Sequence, residues 1–275
     1  YAFDRRTYTA AEIRAQMDAA RAAGGRGWLL WDPAVKYTSA ALVSAQPAYP
    51  PNPTGFVPVL RYREIGRPAG PGQRTPEALR ADLERLLAAG YYPVTVRGLV
   101  EGRLRMAPAG KRPVVLTFDG ATPGQFRLLP DGSVDPDSAV GILKAFHDAH
   151  PADWPLAASF FIAPDGAEPG AGVFGQAESA QRKLAALRTW GLEIGSYGMG
   201  GGGLARKSAE EVQRELGLSQ TLLERWLPGL RIFSLALPDA GLPSAPTLLG
   251  QGEYDGMYYA YGAVVGAGRG LARAP

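Results

Sequence analysis

Apolar positions along this chain switch repeatedly between a spacing of about 3.6 residues and a spacing of 2, and each switch marks a change of element. The first element is a helix. Thr9 and Glu12 stand at capping-box spacing, Ile13, Met17 and Ala20 share a face, and Gly24 stops it. The apolar run 27–31 predicts a buried strand, and the Pro- and Tyr-rich stretch 45–56 reads as a linker or an extended strap. A short strand follows at 57–62. Thr75, Pro76 and Glu77 supply a cap, a first-turn proline and a first-turn acid to a helix whose apolar face is Leu79, Leu83, Leu86 and Leu87, ending at Gly90. Strands are expected at 92–96 and at 113–118, the latter running into Asp119 and Gly120.

The alternation continues to the end of the chain. Asp135-Pro136 is expected to cap a helix carrying Val140, Leu143 and Phe146 and closed by Pro151. A strand at 156–162 is followed by a helix marked by Leu184, Leu187 and Trp190, stopped at Gly191. After a strand at 192–195, Ser208 and Glu211 form a second capping box ahead of Val212, Leu216, Leu223 and Trp226. Strands at 231–237 and 258–265 complete the pattern. Strands alternating with helices predict a parallel sheet. A (β/α) barrel fits better than an open doubly wound sheet, because no Gly-x-Gly-x-x-Gly leads from a strand into a helix. The glycine-rich stretch 198–203 precedes a capped helix, but no Lys-Ser/Thr pair sits at Walker spacing, so it reads as a loop and not as a phosphate cradle.

Composition narrows the chemistry. Of 275 residues, 46% are hydrophobic and 20% charged, which describes a folded chain and not a disordered one. The net charge of +3 comes from scattered arginines, so no nucleic-acid partner is expected. No apolar run approaches the ~20 residues of a membrane span. The absence of cysteine excludes disulfides, thiolate metal sites and cysteine nucleophiles. Only two histidines, His147 and His150, are present, which excludes most zinc hydrolase sites and most serine-hydrolase triads. They stand three apart before Pro151 and read as a pair favoured by the negative end of a helix. The chain opens at Tyr1 without methionine, in the manner of a trimmed form or an excised domain.

In parallel barrels the working residues lie at the carboxyl ends of strands. Those ends collect Arg63, Glu64, Asp119, Gly120, Tyr197, Pro238 and Asp239. Three of them, Asp119, Asp239 and Glu64, are carboxylates whose convergence would suit glycoside hydrolysis; the plainer reading makes each a turn-capping loop residue.

The same strand ends resemble the polysaccharide deacetylases, the family 4 carbohydrate esterases, over residues 57–266. Val57-Pro58-Val59-Leu60-Arg61-Tyr62-Arg63-Glu64-Ile65 is similar to that family's V-P-V-L-x-Y-H-E-I opening. Leu116-Thr117-Phe118-Asp119-Gly120 is similar to its L-T-F-D-D motif, and Gly191-Leu192-Glu193-Ile194-Gly195-Ser196-Tyr197 to its G-x-E-I-G-x-H motif. Leu235-Ala236-Leu237-Pro238 resembles the strand before its proline-tyrosine pair. The resemblance implies a distorted parallel (β/α) barrel. It implies that Asp119 stands where the family keeps its general base. The family's three metal ligands, an Asp and two His, fall at Gly120, Tyr197 and Gly201, none of which is the family's residue. Arg63 replaces a further histidine, and Asp239 stands where a tyrosine beside the oxyanion site is expected.

The expectation is therefore a protein without metal or cofactor, catalytically inactive, that binds a polysaccharide, an oligosaccharide or a protein partner through Arg63, Glu64, Tyr197, Pro238 and Asp239. The alternative is an active deacetylase or hydrolase of acetylated glycans with a non-standard site around Asp119. On family grounds the protein is expected to be exported, in the extracellular space or the cell envelope. Restoring the ligands as Gly120→Asp, Tyr197→His and Gly201→His is expected to restore metal binding. Three segments are expected: a helix–strand extension at 1–45, a Pro-rich connection at 46–56 and the barrel at 57–275. The extension weakly resembles the last unit of a glycoside-hydrolase-like barrel, with one of Trp28 and Trp31 facing the core.

Overall fold

The computed structural model describes residues 2–3, 6–23, 56–70, 73–102, 107–108, 110–166, 170–200, 202–239, 241–266 and 272–273. Gly24, the strand expected at 27–31 with Trp28 and Trp31, the connection up to residue 55, and Gly201 lie outside the described residues. The chain divides into two compact units, Tyr1–Tyr49 and Pro50–Pro275. In the first, β1 (Ala2–Phe3) pairs antiparallel with β2 (Arg6–Thr7), and α1 (Ala10–Ala22) follows. Its start is the expected capping box: the Thr9 N–H donates to Glu12 at 2.9 Å and the Glu12 N–H donates to the Thr9 hydroxyl at 3.3 Å.

The second unit runs β3 (Phe56–Val57), β4 (Val59–Tyr62), α2 (Pro76–Ala88), β5 (Tyr91–Val94), α3 (Val96–Val100), β6 (Arg112–Asp119), α4 (Ala139–Ala149) and β7 (Ser159–Ile162). It continues with α5 (Ala180–Thr189), β8 (Glu193–Ser196), α6 (Ala209–Trp226), β9 (Ser234–Ala236), β10 (Gln251–Tyr254), β11 (Met257–Ala260), β12 (Ala263–Val265) and β13 (Ala272–Arg273). The main sheet has the order β12-β9-β8-β7-β6-β4, with β5 on the first half of β6, and every pairing in it is parallel. It curls into a half-barrel with helices outside, the expected distorted (β/α) barrel. β3 pairs antiparallel with β13, so the segments beside the two edge strands are tied together.

Side chains alternate across the sheet with period 2. One face carries Leu116, Phe118, Phe160, Ile162, Ile194 and Leu235, packed on helix residues such as Leu79, Leu83, Leu143, Leu184 and Leu216. The other face lines the barrel and carries Val115, Phe161, Tyr197 and Ala236, closed from below by Val94, Val96 and Leu99. The lower end is pinned by a half-buried carboxylate. Glu193 accepts from the hydroxyls of Ser159 at 2.7 Å and Ser234 at 2.6 Å, and from the Arg97 N–H at 3.0 Å. Three strands and the start of α3 thus meet at one carboxylate.

The elements differ from the sequence expectation where a backbone donor or a cap decides. Pro58 has no N–H and splits the strand at 57–62 into β3 and β4, which pair with different partners. Thr95 caps α3 by accepting from the Gly98 N–H at 2.9 Å, so the strand expected to reach 96 ends at Val94. Ser138, not Asp135, caps α4; Asp135 instead accepts the Asp137 N–H in the preceding turn at 2.8 Å. The last expected strand divides into β11, which pairs antiparallel with β10, and β12, which pairs parallel with β9; between them Gly262 packs against the Phe233 ring.

A Cβ at Gly195 would lie 2.6 Å from the Phe161 ring and 2.8 Å from the Ser234 hydroxyl. Gly195→Ala is expected to lower the unfolding free energy by about 1–3 kcal/mol. Urea denaturation followed by circular dichroism measures this, and an unchanged midpoint would contradict the packing described.

Candidate functional site

The upper end of the barrel is where the inward-facing positions become polar. On β6 the inward series ends with Thr117 and Asp119, and Asp119 is only 2% exposed. On β4 the same alternation turns Arg61 inward, paired in register with Thr117. Beyond β8, Tyr197 is held at the next inward position by its N–H donating to the Ile162 carbonyl at 2.9 Å, and it is 1% exposed.

Arg61 joins these residues. Its Nε lies 2.5 Å from Asp119 Oδ2. Its Nη2 donates to the Tyr197 hydroxyl at 2.8 Å and, more weakly, to the Pro238 carbonyl at 3.4 Å. A carboxylate, a phenol oxygen and a carbonyl are all acceptors, which suits a guanidinium that can only donate. One side chain from β4 therefore meets the carboxyl ends of β6, β8 and β9. Gln125 fastens the backbone beneath by donating to the carbonyls of Asp119, at 2.8 Å, and Arg63, and the Thr122 hydroxyl donates to the Arg63 carbonyl at 2.9 Å.

Burial pushes the Asp119 carboxyl up to about 6, against the opposing pull of Arg61, Thr117 and Arg63. Burial, reinforced by Asp119, also raises the Tyr197 phenol. Tyr197 thus stays protonated at neutral pH, and its hydroxyl can accept from Arg61 while retaining its own proton.

A divalent metal does not fit this arrangement. Gly120 brings no donor, Tyr197 offers a protonated phenol already bound to a cation, and the Asp119 carboxylate is held by a permanent positive charge. Among the described residues no three His, Asp or Glu side chains converge as a metal site. Gly120 also has φ +93°, a backbone conformation that disfavours the aspartate of a ligand.

The other expected residues are placed as follows. Arg63 is exposed, and its charge reaches both Asp119 and Tyr197. Pro238 contributes its carbonyl. Tyr197 is covered, so its role is to hold Arg61 and not to present a hydroxyl to solvent. Glu64 lies over the loop at Gly124, where an added Cβ would come within 2.6 Å of its Oε1. Asp239 packs on Gly203, and its buried Oδ1 has no hydrogen-bond partner among the described residues. Glu64 and Asp239 are thus each placed against a loop glycine, and Asp119 against Arg61. His147 donates from Nδ1 to the Trp154 carbonyl, 2.8 Å away, and His150 packs on Phe146, both within the outer helical layer. The loop from 198 is held by Glu215, which accepts the Met199 N–H at 3.2 Å; a carboxylate there opposes a phosphate.

Sequence reading missed Arg61, which sits at a variable place of the motif. The available signal was a charge at an inward period-2 position between Val59 and the strand end.

No family model and no curated protein matches this sequence. Solved structures do match. The Streptococcus pyogenes deacetylase PplD, solved in complex with acetate, superposes with a TM-score of 0.54 at 15% identity, over 76% of this chain and 92% of that one. IcaB from Ammonifex degensii gives 0.51 at 16% identity, over 77% and 91%. A polysaccharide deacetylase from Bacillus cereus gives 0.51 at 15% identity, over 76% and 65%. The fold of this chain is that of the polysaccharide deacetylases.

Two predictions come from the mouth. Because Asp119 holds its proton more tightly folded than at its usual 3.8, its contribution to stability is complete below pH 3.8 and is lost as pH rises through about 6. Urea midpoints across this range should fall more steeply with pH in the wild type than in Asp119→Asn; parallel curves would refute the shift. Arg61→Met should leave an unpaired buried carboxylate and cost about 3 kcal/mol at pH 7.5, with much of the loss recovered at pH 4. Equal losses at the two pH values would mean that the pair is not electrostatically coupled.

Proposed function

We propose that this chain is a divergent relative of the polysaccharide deacetylases that has given up metal-dependent hydrolysis and retains the barrel mouth as a binding site for carbohydrate or a protein partner. The observation that carries this reading is the contact of Arg61 with Asp119, Tyr197 and Pro238. A catalytic metal polarises the acyl carbonyl and lowers the pKa of its bound water. A guanidinium can donate hydrogen bonds to a carbonyl, but it cannot bind water as hydroxide. Asp119, in turn, is held by Arg61 through Oδ2, and its Oδ1, unpartnered among the described residues, is buried, whereas a general base needs a free oxygen facing water. The substitutions at positions 120 and 197 and the placement of Arg61 point the same way: one side of the chemistry has been replaced by a fixed cation.

Among the described residues no helix is long and apolar enough to cross a membrane. A location outside the cell, in the extracellular space or the envelope, follows from the resemblance and is part of the proposal.

Acetylated chito- and xylo-oligosaccharides should release no acetate above background, with or without added zinc, since losing the metal-activated water removes rate by roughly thousands-fold or more. Acetate release that disappears in Asp119→Asn would establish an enzyme in its place. A second measurement tests the role of the cation. The sequence predicts that Gly120→Asp, Tyr197→His and Gly201→His restore metal binding; with Arg61 held on Asp119, that variant should instead give no calorimetric zinc binding, and binding once Arg61→Ala is added. Zinc binding with Arg61 intact would show that the guanidinium does not exclude metal.

A further inference from the structure

The barrel has a second concave site at its opposite end. A cleft of about 760 Å³ lies where the C-terminal half of α6, the residues entering β9 and the β10–β11 hairpin meet. Phe233 precedes the first residue of β9, and the Arg97 N–H is bound to Glu193, the first residue of β8. The mouth lies at Tyr197, four residues further along, or about 13 Å away at strand rise. The cleft is thus separate from the mouth, and its occupation does not depend on the function proposed there.

We propose that this cleft binds a neutral saccharide of one or two rings. Three features specify that chemistry. The first is an aromatic platform: Tyr258 is 75% exposed at the rim, and the half-buried Phe233 ring lies beneath the Arg97 guanidinium at 5.1 Å. The exposed Tyr258 ring offers a flat face on which the C–H face of a pyranose can lie. The second is an unmet acceptor. Gln220 is 5% exposed, its Nε2 donates to Glu224 at 2.5 Å, and its buried Oε1 has no partner among the described residues. That oxygen calls for a donor, which a sugar hydroxyl supplies. The third is charge balance. Arg97 and Arg231 face Glu224 and Glu253 around the same cleft, so neither an anion nor a cation is selected, while a polyol can both donate to the acids and accept from the arginines. The volume falls in the range of small-molecule sites.

The test is isothermal titration of the full chain with cellobiose, xylobiose and N,N′-diacetylchitobiose. At least one should bind with 1:1 stoichiometry. Tyr258→Ala, an exposed position that leaves folding intact, should weaken that binding by about tenfold, as should Gln220→Leu, while Glu84→Ala, an exposed position on α2 outside both sites, leaves it unchanged. Thermal melts confirm that each variant is folded. Binding lost in Arg63→Ala and kept in Tyr258→Ala would place the sugar at the mouth and overturn this inference while leaving the proposed function standing. Failure of all the probes to bind, or binding of glucuronate in preference to them, would overturn it as well.

Discussion

Arg61 and Asp119 are the pair on which the upper half of the barrel depends. Taking both charges out of water costs several kcal/mol per ion, and each is tolerable only because the other is beside it. Such a pair adds little net stability over an apolar equivalent, but it dictates geometry. Asp119 must stand at the end of β6, and Arg61, on the neighbouring β4, must turn inward to reach it. Having arrived, the guanidinium has donors left over, and these take the Tyr197 hydroxyl and the Pro238 carbonyl. The result is a cluster of polar groups gathered by one guanidinium at the carboxyl ends of three strands.

The lower end of the barrel solves a similar problem with the opposite sign. There a carboxylate, Glu193, is the hub, and two serine hydroxyls and a backbone N–H satisfy it. Between the two polar layers lies an apolar one, where Gly195 makes room for the Phe161 ring. Each hub draws its partners from several strands, so each fixes the curl of the sheet as well as its own charge. A barrel held in this way at both ends needs no metal to keep its shape.

The two ends of the barrel therefore differ in chemistry. The mouth is governed by buried charge and by the exposed Arg63, whereas the opposite cleft is governed by aromatic rings and balanced charges on its rim. Loops and helix ends build both, and the strands between them keep the two apart.

The barrel itself was written in the sequence. Period-2 runs at 113–118 and 192–195, capping boxes at Thr9 and Ser208, and the Thr75-Pro76-Glu77 start are local signals, and local backbone chemistry decides them. Asp119, Tyr197 and Pro238 could be assigned to strand ends, and the missing metal ligands could be read by position. The partner of Asp119 could not. Arg61 and Asp119 are far apart in the chain, and nothing near either residue says that β4 and β6 are neighbours or that a long side chain will cross between them. Likewise Glu64 and Asp239 are carboxylates at strand ends like Asp119, but loop packing against Gly124 and Gly203 turns them to other neighbours. Local propensity determined which elements form and where they end; only the closing of the sheet decided which charges would meet, because that depends on register between distant strands.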